Sequence, residues 1–142
     1  MRRPVLIAED DPVDAWLLGR AFSQAGLDVD TNLVRDGEEV LDYLAGHDDF
    51  SDRILHPFPE VLLLDLKMPR LDGFEVLQAI RDNPTMRPPC VVVLTSSELE
   101  EDAEKARALG ADHFITKPSS GDYSHTIDAL QKFWTEQACF RS

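Results

Sequence analysis

The stretch "PEVLLLDLKMPRLDGFE", residues 59–75, places four apolar residues, Val61 to Leu64, directly before Asp65. Leaving water is costly for a carboxylate, so an acid at the tip of an oily strand needs a reason. The run is short, continuous and rich in Leu and Val, the pattern of a strand buried on both faces. Asp72 and Glu75 then form the start of a helix carrying Val76, Leu77 and Ile80, with a capping box at its head. This strand–loop–helix unit is the template for the rest of the chain.

Working outward, four more such units appear. "PVLIA" (4–8) reads as the first strand, and Asp11 caps a helix whose first residue is Pro12. Leu18, Ala21, Phe22 and Ala25 make one apolar stripe on that helix, which Gly26 ends. "VDTNLV" (29–34) is a second strand, followed by a helix from Asp36 to Gly46. Residues 60–64 are strand three and "CVVVL" (90–94) strand four. Ser97 and Glu100 predict a capping box for a fourth helix, which runs from acidic to basic as its dipole favours. Leu99, Ala103 and Ala106 are its expected core positions. "HFIT" (113–116) is strand five, and a last helix places Tyr123, Ile127, Leu130 and Trp134 on one stripe, with Phe133 on the opposite side. The stretch 47–59 is a long excursion before strand three. Alternating buried strands and helices predict an α/β fold: a doubly wound, three-layer sandwich around a five-stranded parallel sheet with five helices.

At 142 residues, with 43% hydrophobic and 29% charged side chains, the chain has the length and composition of one globular domain. The expected organisation is a single domain over 1–142 with a short C-terminal tail from about residue 138. No apolar run reaches membrane-span length, and the N-terminus lacks the pattern of a signal peptide. The two cysteines, Cys90 and Cys139, show no motif spacing and are expected to be reduced thiols in a cytoplasmic protein. The net charge of −13 argues against direct nucleic-acid binding. The four histidines, His47, His56, His113 and His125, show no ligand spacing, and the acidic run 98–104 reads as a solvated helix face.

In an open parallel sheet the functional crevice lies beyond the carboxyl ends of the strands. Glu9, Asp10 and Asp11 follow strand one, Asp65 follows strand three, Thr95 and Ser96 strand four, and Lys117 and Pro118 strand five. Three carboxylates, a hydroxyl and an ammonium therefore converge on one rim. Crowded carboxylates repel, and a hard cation such as Mg²⁺ relieves the repulsion. An aspartate beside Mg²⁺ and a lysine is placed to attack phosphorus, and Thr95 could donate to one of the phosphoryl oxygens.

The fragments "LIAEDD", "LLLDLKMPRLDG", "VVVLTSS" and "ALGADHFITKP" resemble, in order and spacing, the receiver domains of two-component response regulators, the family of the chemotaxis response regulator. The resemblance covers nearly the whole chain. It implies a flavodoxin-like sheet in the order 2-1-3-4-5 and a phosphoacceptor at Asp65. It implies that Glu9, Asp10, Asp65 and the backbone carbonyl of Lys67 hold Mg²⁺. Thr95 is then the switch hydroxyl, Phe114 the switch aromatic, Lys117 the phosphate-binding lysine, and Lys117–Pro118 a cis bond. Glu9 stands where the family more often has Asp, which lengthens its expected metal contact or routes it through water. "SSGDYS" after Pro118, the long loop 47–59 and "LQKFW" are similar to single-domain regulators associated with phytochrome kinases. The implied partners are a histidine kinase, a bacteriophytochrome among the candidates, and an unnamed downstream protein. A homodimer through the face of helix four, strand five and helix five is also expected, with Phe133, Cys139 and Phe140 as contact groups.

Four other functions compete. A relay intermediate or phosphate sink uses the same site. A phosphatase of the haloacid dehalogenase type needs a second Asp two residues after the nucleophile, where this chain has Lys67. A nucleotide or flavin binder needs a Gly-rich loop after strand one, which is missing. A degenerate receiver serving as a scaffold would not need the acid, Thr and Lys set. The reading is therefore of a signalling module rather than a turnover enzyme.

Overall fold

The computed structural model describes residues 3–135. Its elements are β1 (Arg3–Ala8), α1 (Pro12–Gln24), β2 (Val29–Val34), α2 (Gly37–Ala45), a 3-10 turn (Asp48–Phe50), β3 (Val61–Leu64), α3 (Gly73–Arg81), β4 (Cys90–Thr95), α4 (Glu100–Ala108), β5 (His113–Thr116) and α5 (Ser124–Thr135). The five strands are all parallel, in the order β2-β1-β3-β4-β5. The doubly wound sandwich expected from the sequence is the one observed.

The period of two along each strand splits the core into two layers. Leu6, Leu62, Leu64, Val91 and Val93 point to the side of α2, α3 and α4, where they meet Val40, Tyr43, Val76, Leu77 and Ala106. Val5, Ile7, Val61, Leu63, Cys90, Val92 and Leu94 point the other way, to Leu18 and Phe22 of α1 and Ile127 and Leu130 of α5. β3 and β4 are buried along their whole length, as continuous apolar runs require.

Helix starts follow their predicted caps with one exception. Asp11 accepts from the Val13 N–H, Asp36 from the Glu39 N–H, and Asp72 and Glu75 form the reciprocal capping box. At α4 the expected Ser97–Glu100 box is absent. Leu99 is the N-cap without a side-chain bond, because Ser97 Oγ donates to Asp102 Oδ2 at 2.5 Å and accepts from the Leu99 N–H at 3.2 Å. Leu99 thus lies outside the helical register and is 61% exposed, against the core position expected for it, while Ala103 and Ala106 are buried as expected.

Three further expectations are revised. Phe133 is half-buried, stacked on His113 with ring centroids 3.6 Å apart, rather than standing clear of the core. Cys90 is disulfide-bonded, not a reduced thiol. No cis peptide bond occurs among the described residues, so Lys117–Pro118 is trans. X–Pro bonds favour trans by only about 0.5–1 kcal/mol, so local context decides. Here the trans form leads into a turn closed by the Gly121 N–H on the Pro118 carbonyl, with Gly121 at φ +77°. The Trp134 side chain, Cys139 and Phe140, which figured in the core and contact expectations, lie outside the described residues.

The excursion 47–59 is anchored. Arg53 donates to the Tyr43 and Leu44 carbonyls at 2.8 and 2.9 Å, satisfying the C-terminus of α2, and Tyr43 Oη donates to the Pro57 carbonyl at 3.0 Å. Tyr43, Phe50 and His56 pack ring against ring beneath it.

Candidate phosphoacceptor and metal site

The carboxyl ends of β1, β3, β4 and β5 meet on one rim, and Lys117 is the residue that ties them together. Its Nζ lies 2.5 Å from Glu9 Oε2, 3.1 Å from Asp65 Oδ2 and 3.3 Å from Asp14 Oδ2. The three side chains nearest the centre are buried: Glu9 is 3% exposed, Asp65 7% and Lys117 10%. The second oxygen of Asp65 accepts the Lys67 N–H at 3.1 Å. Asp65 is thus held from both sides, by an ammonium and by the backbone of its own loop.

That loop is clamped by two glycines. A Cβ on Gly73 would lie 2.6 Å from the Asp65 carbonyl oxygen, and one on Gly37 would lie 2.2 Å from the Leu71 carbonyl oxygen. The starts of α2 and α3 press directly on the β3–α3 segment because neither carries a side chain there. Arg70, at φ +70°, adds ion pairs to Asp36 and Glu38.

Burial pushes the Glu9 carboxyl up to about 7; Lys117 and the Asp11 N–H pull against this, and the charge of Asp65 adds to it. Burial alone would lower the Lys117 ammonium, but its bond to Glu9 and the charges of Asp65 and Glu9 outweigh that and hold it above the ordinary lysine value. Lys117 therefore stays charged while Glu9 titrates near neutrality.

Glu9, Asp10 and Asp65 each offer an oxygen within 4.8 Å of the others, and Asp10 is exposed. An all-carboxylate set with an open side suits a hard divalent cation. The three expected carboxylates are thus brought together. Glu9 differs from the expectation in being drawn onto Lys117, so a metal must compete with that ammonium for it. Thr95 is fully buried at the end of β4, where Oγ1 accepts the Ser97 N–H at 3.4 Å. Phe114 is half-buried on β5 against the α4 layer. Asp14 and Tyr123 were not anticipated as site residues. Asp14 binds both Lys117 Nζ and Tyr123 Oη (3.2 Å), and burial together with the Asp14 charge holds the Tyr123 phenol well above its usual range. The signal for Asp14 is its place in the first turn of α1, above the same strand ends.

A family model of the response regulator receiver domain matches residues 5–127. The chain belongs to this family. Among relatives, the receiver domain is 34% identical over 131 residues to a probable methanogenesis regulatory protein, FilR2 of Methanothrix harundinacea (92% of this chain, 82% of that one). It is 30% identical over 133 residues to response regulator Rcp1 of Synechocystis (93% and 88%), and it superposes with TM-score 0.81 on the Mn²⁺-bound form of a response regulator of the same name, Rcp1 (29% identity, 93% and 94% covered). Among solved structures, it superposes with TM-score 0.86 on response regulator RPA3017, from red-light signalling in R. palustris (38% identity, 93% of each chain). It superposes with TM-score 0.84 on the phosphorylated cyanobacterial phytochrome regulator RcpA (29% identity, 96% of each). The receiver domain is thus similar to phytochrome-associated single-domain regulators. No helix among the described residues is long and apolar enough to cross a membrane.

Proposed function

We propose that this receiver domain accepts a phosphoryl group from a histidine kinase on Asp65, in the cytoplasm, and thereby changes its protein partners. The observation that carries the reading is the suspension of a buried Asp65 between Lys117 Nζ and the Lys67 N–H, beside Glu9 and Asp10. Mg²⁺ bound by Glu9, Asp10, Asp65 and the Lys67 carbonyl would neutralise charge on the transferring group. An Asp65 carboxylate oxygen forms the new bond to phosphorus while the P–N bond of a phosphohistidine breaks. The imidazole leaves with the electron pair. Lys117, already within hydrogen-bond reach of Asp65, offers its ammonium to the phosphoryl oxygens. Similarity to phytochrome-associated regulators favours a bacteriophytochrome as the kinase.

The switch is assigned to Thr95 and Phe114. Thr95 Oγ1 has one long bond, to the Ser97 N–H, and exchanges it for a phosphoryl oxygen. Ser97 is itself bound to Asp102 of α4, so the exchange is felt at the head of that helix. Phe114 then rotates inward, and the face of α4, β5 and α5 changes shape. This is a population shift, limited by the differential contacts of the phosphoryl group. That face is also where a homodimer would form.

The reading is tested by acetyl phosphate with Mg²⁺ and intact mass spectrometry. Wild type should gain one phosphoryl group and Asp65→Asn none; equal labelling of the two would remove Asp65 from the role.

Metal affinity should depend on pH through Glu9, which must lose its proton to act as a ligand. With its carboxyl at about 7, apparent Mg²⁺ affinity weakens about tenfold per pH unit below that value and levels off above pH 8. Calorimetric titration at pH 6, 7 and 8 measures this. Glu9→Gln should flatten the dependence.

A further inference from the structure

Lys117 Nζ carries three N–H donors, and three carboxylates surround it: Glu9 at 2.5 Å, Asp65 at 3.1 Å and Asp14 at 3.3 Å. Two of these acids have another task in the reaction proposed above. Asp65 receives the phosphoryl group, and Glu9 lies with Asp10 and Asp65 in the one group of described residues that could hold a metal ion. Asp14 is outside that group. Its other oxygen, Oδ1, accepts the Tyr123 hydroxyl at 3.2 Å. Tyr123 is 2% exposed, and burial together with the Asp14 charge keeps its phenol protonated and hence a donor. Both ends of this contact are fixed by backbone. Asp14 stands in the first turn of α1, whose head Asp11 caps through the Val13 N–H. The Tyr123 carbonyl accepts the Ile127 N–H at 3.0 Å at the head of α5. Gly121 lets the loop after β5 close on α1: a Cβ there would lie 3.2 Å from Leu17 Cδ1.

We propose that Asp14 is a positioning residue for the phosphorylation of Asp65: it holds Lys117 Nζ in reach of the phosphoryl oxygens, and the Tyr123 hydroxyl holds Asp14 in turn. The role rests on the reading of Asp65 as the phosphoacceptor. When Asp65 gives an oxygen to phosphorus, its contact with Lys117 is exchanged for contacts between Lys117 and the phosphoryl oxygens. A free lysine side chain has many rotamers, and ordering it at that moment would add to the barrier. A contact that persists through the reaction removes this cost. Asp14 supplies it, because it is neither the attacking acid nor a member of the cluster that could take a cation. The Asp14 side chain is 27% exposed against 3% for Glu9, so water screens its charge. What Asp14 contributes is therefore the hydrogen bond that fixes the ammonium, rather than its negative charge.

The test compares wild type, Asp14→Ala, Asp14→Asn and Tyr123→Phe, with folding checked by circular dichroism. The initial rate of labelling by acetyl phosphate with Mg²⁺ should fall at least about tenfold in Asp14→Ala, since a displacement of about 1 Å at a reacting group can cost about a hundredfold. Asp14→Asn should stay within about threefold of wild type, because its amide oxygen still accepts from Nζ and its amide N–H can donate to Tyr123 Oη. Tyr123→Phe, which keeps the ring and removes only the hydroxyl, should fall between the two. In the metal-free proteins, exchange of the Lys117 Nζ protons with water, read by ¹⁵N NMR, should be at least about fivefold faster in Asp14→Ala than in wild type or Asp14→Asn. A wild-type rate in folded Asp14→Ala, or unchanged Nζ exchange, overturns the role and leaves the phosphoacceptor reading intact. A rate in Asp14→Asn as low as in Asp14→Ala overturns positioning in favour of charge. If Asp14→Ala does not fold, Tyr123→Phe decides, and a wild-type rate there overturns the role. Absence of labelling in wild type, or labelling of Asp65→Asn, overturns the phosphoacceptor reading and this role with it.

Discussion

Replacing Lys117 with alanine should destabilise the metal-free protein by about 3–5 kcal/mol at pH 8, the range for removing one partner of a buried ion pair. Lys117 is 10% exposed and stands against Glu9, Asp65 and Asp14. Without it, Glu9 and Asp65 face each other as uncompensated charges with little access to water. The loss should shrink at lower pH, and the sign follows from Glu9. Its folded carboxyl titrates at about 7, above the unfolded value, so the folded state binds more protons and gains stability as pH falls through that range. In the variant the ammonium no longer opposes burial, and the effect extends to higher pH. Urea melts at pH 5.5 and 8 are the measurement. Glu9→Gln in the Lys117→Ala background should restore part of the stability at pH 8 and little at pH 5.5. A single variant as stable as wild type at pH 8 would mean that water, not Lys117, compensates the acids.

Gly73→Ala should cost about 3 kcal/mol, the upper part of the range for overpacking, because the new Cβ meets backbone rather than a movable side chain. It would lie 2.6 Å from the Asp65 carbonyl oxygen and 2.7 Å from Leu66 Cα. Relief requires moving either α3, whose Gly73 N–H binds the Leu66 carbonyl at 3.0 Å, or the strand end that carries Asp65. A shift of about 1 Å at a reacting group can lower rates about a hundredfold. The rate of labelling by acetyl phosphate should therefore fall more than the stability loss alone explains. Gly19→Ala is the control, since nothing lies within 4 Å of its Cβ. It should stabilise the protein by about 0.5–1 kcal/mol. Wild-type labelling rates in Gly73→Ala would show that the loop tolerates the displacement.

The strands and most helix starts were legible in the sequence because they rest on local signals. A buried strand shows as an apolar run and a cap as an acid at a fixed offset, so β2 and β5 fall on the expected residues. The rim of the site was legible for a related reason: a parallel sheet brings strand ends together whatever the details of the loops. What the sequence did not disclose depends on contacts between distant segments. Asp14 and Tyr123 stand 109 positions apart, and nothing local marks Asp14 as bound to Lys117 or Tyr123 as bound to Asp14. Ser97 has the spacing of a capping residue, but Asp102 reaches its hydroxyl from within the helix and shifts the start. Leu99 consequently falls off the core face. Cys90 stands in no motif spacing, and nothing local in "CVVVL" marks it as disulfide-bonded.

The anchoring of the 47–59 excursion has a practical side. Arg53 fixes its base to the last turn of α2, while the very next residue, Ile54, is 90% exposed. A fluorophore or spin label placed at 54 would ride on a stiff mount instead of a floppy tether. Its distances to a second label would then report displacements of the domain's surfaces with little contribution from the label's own backbone. Moving the attachment one position back, to 53, would remove the mount itself.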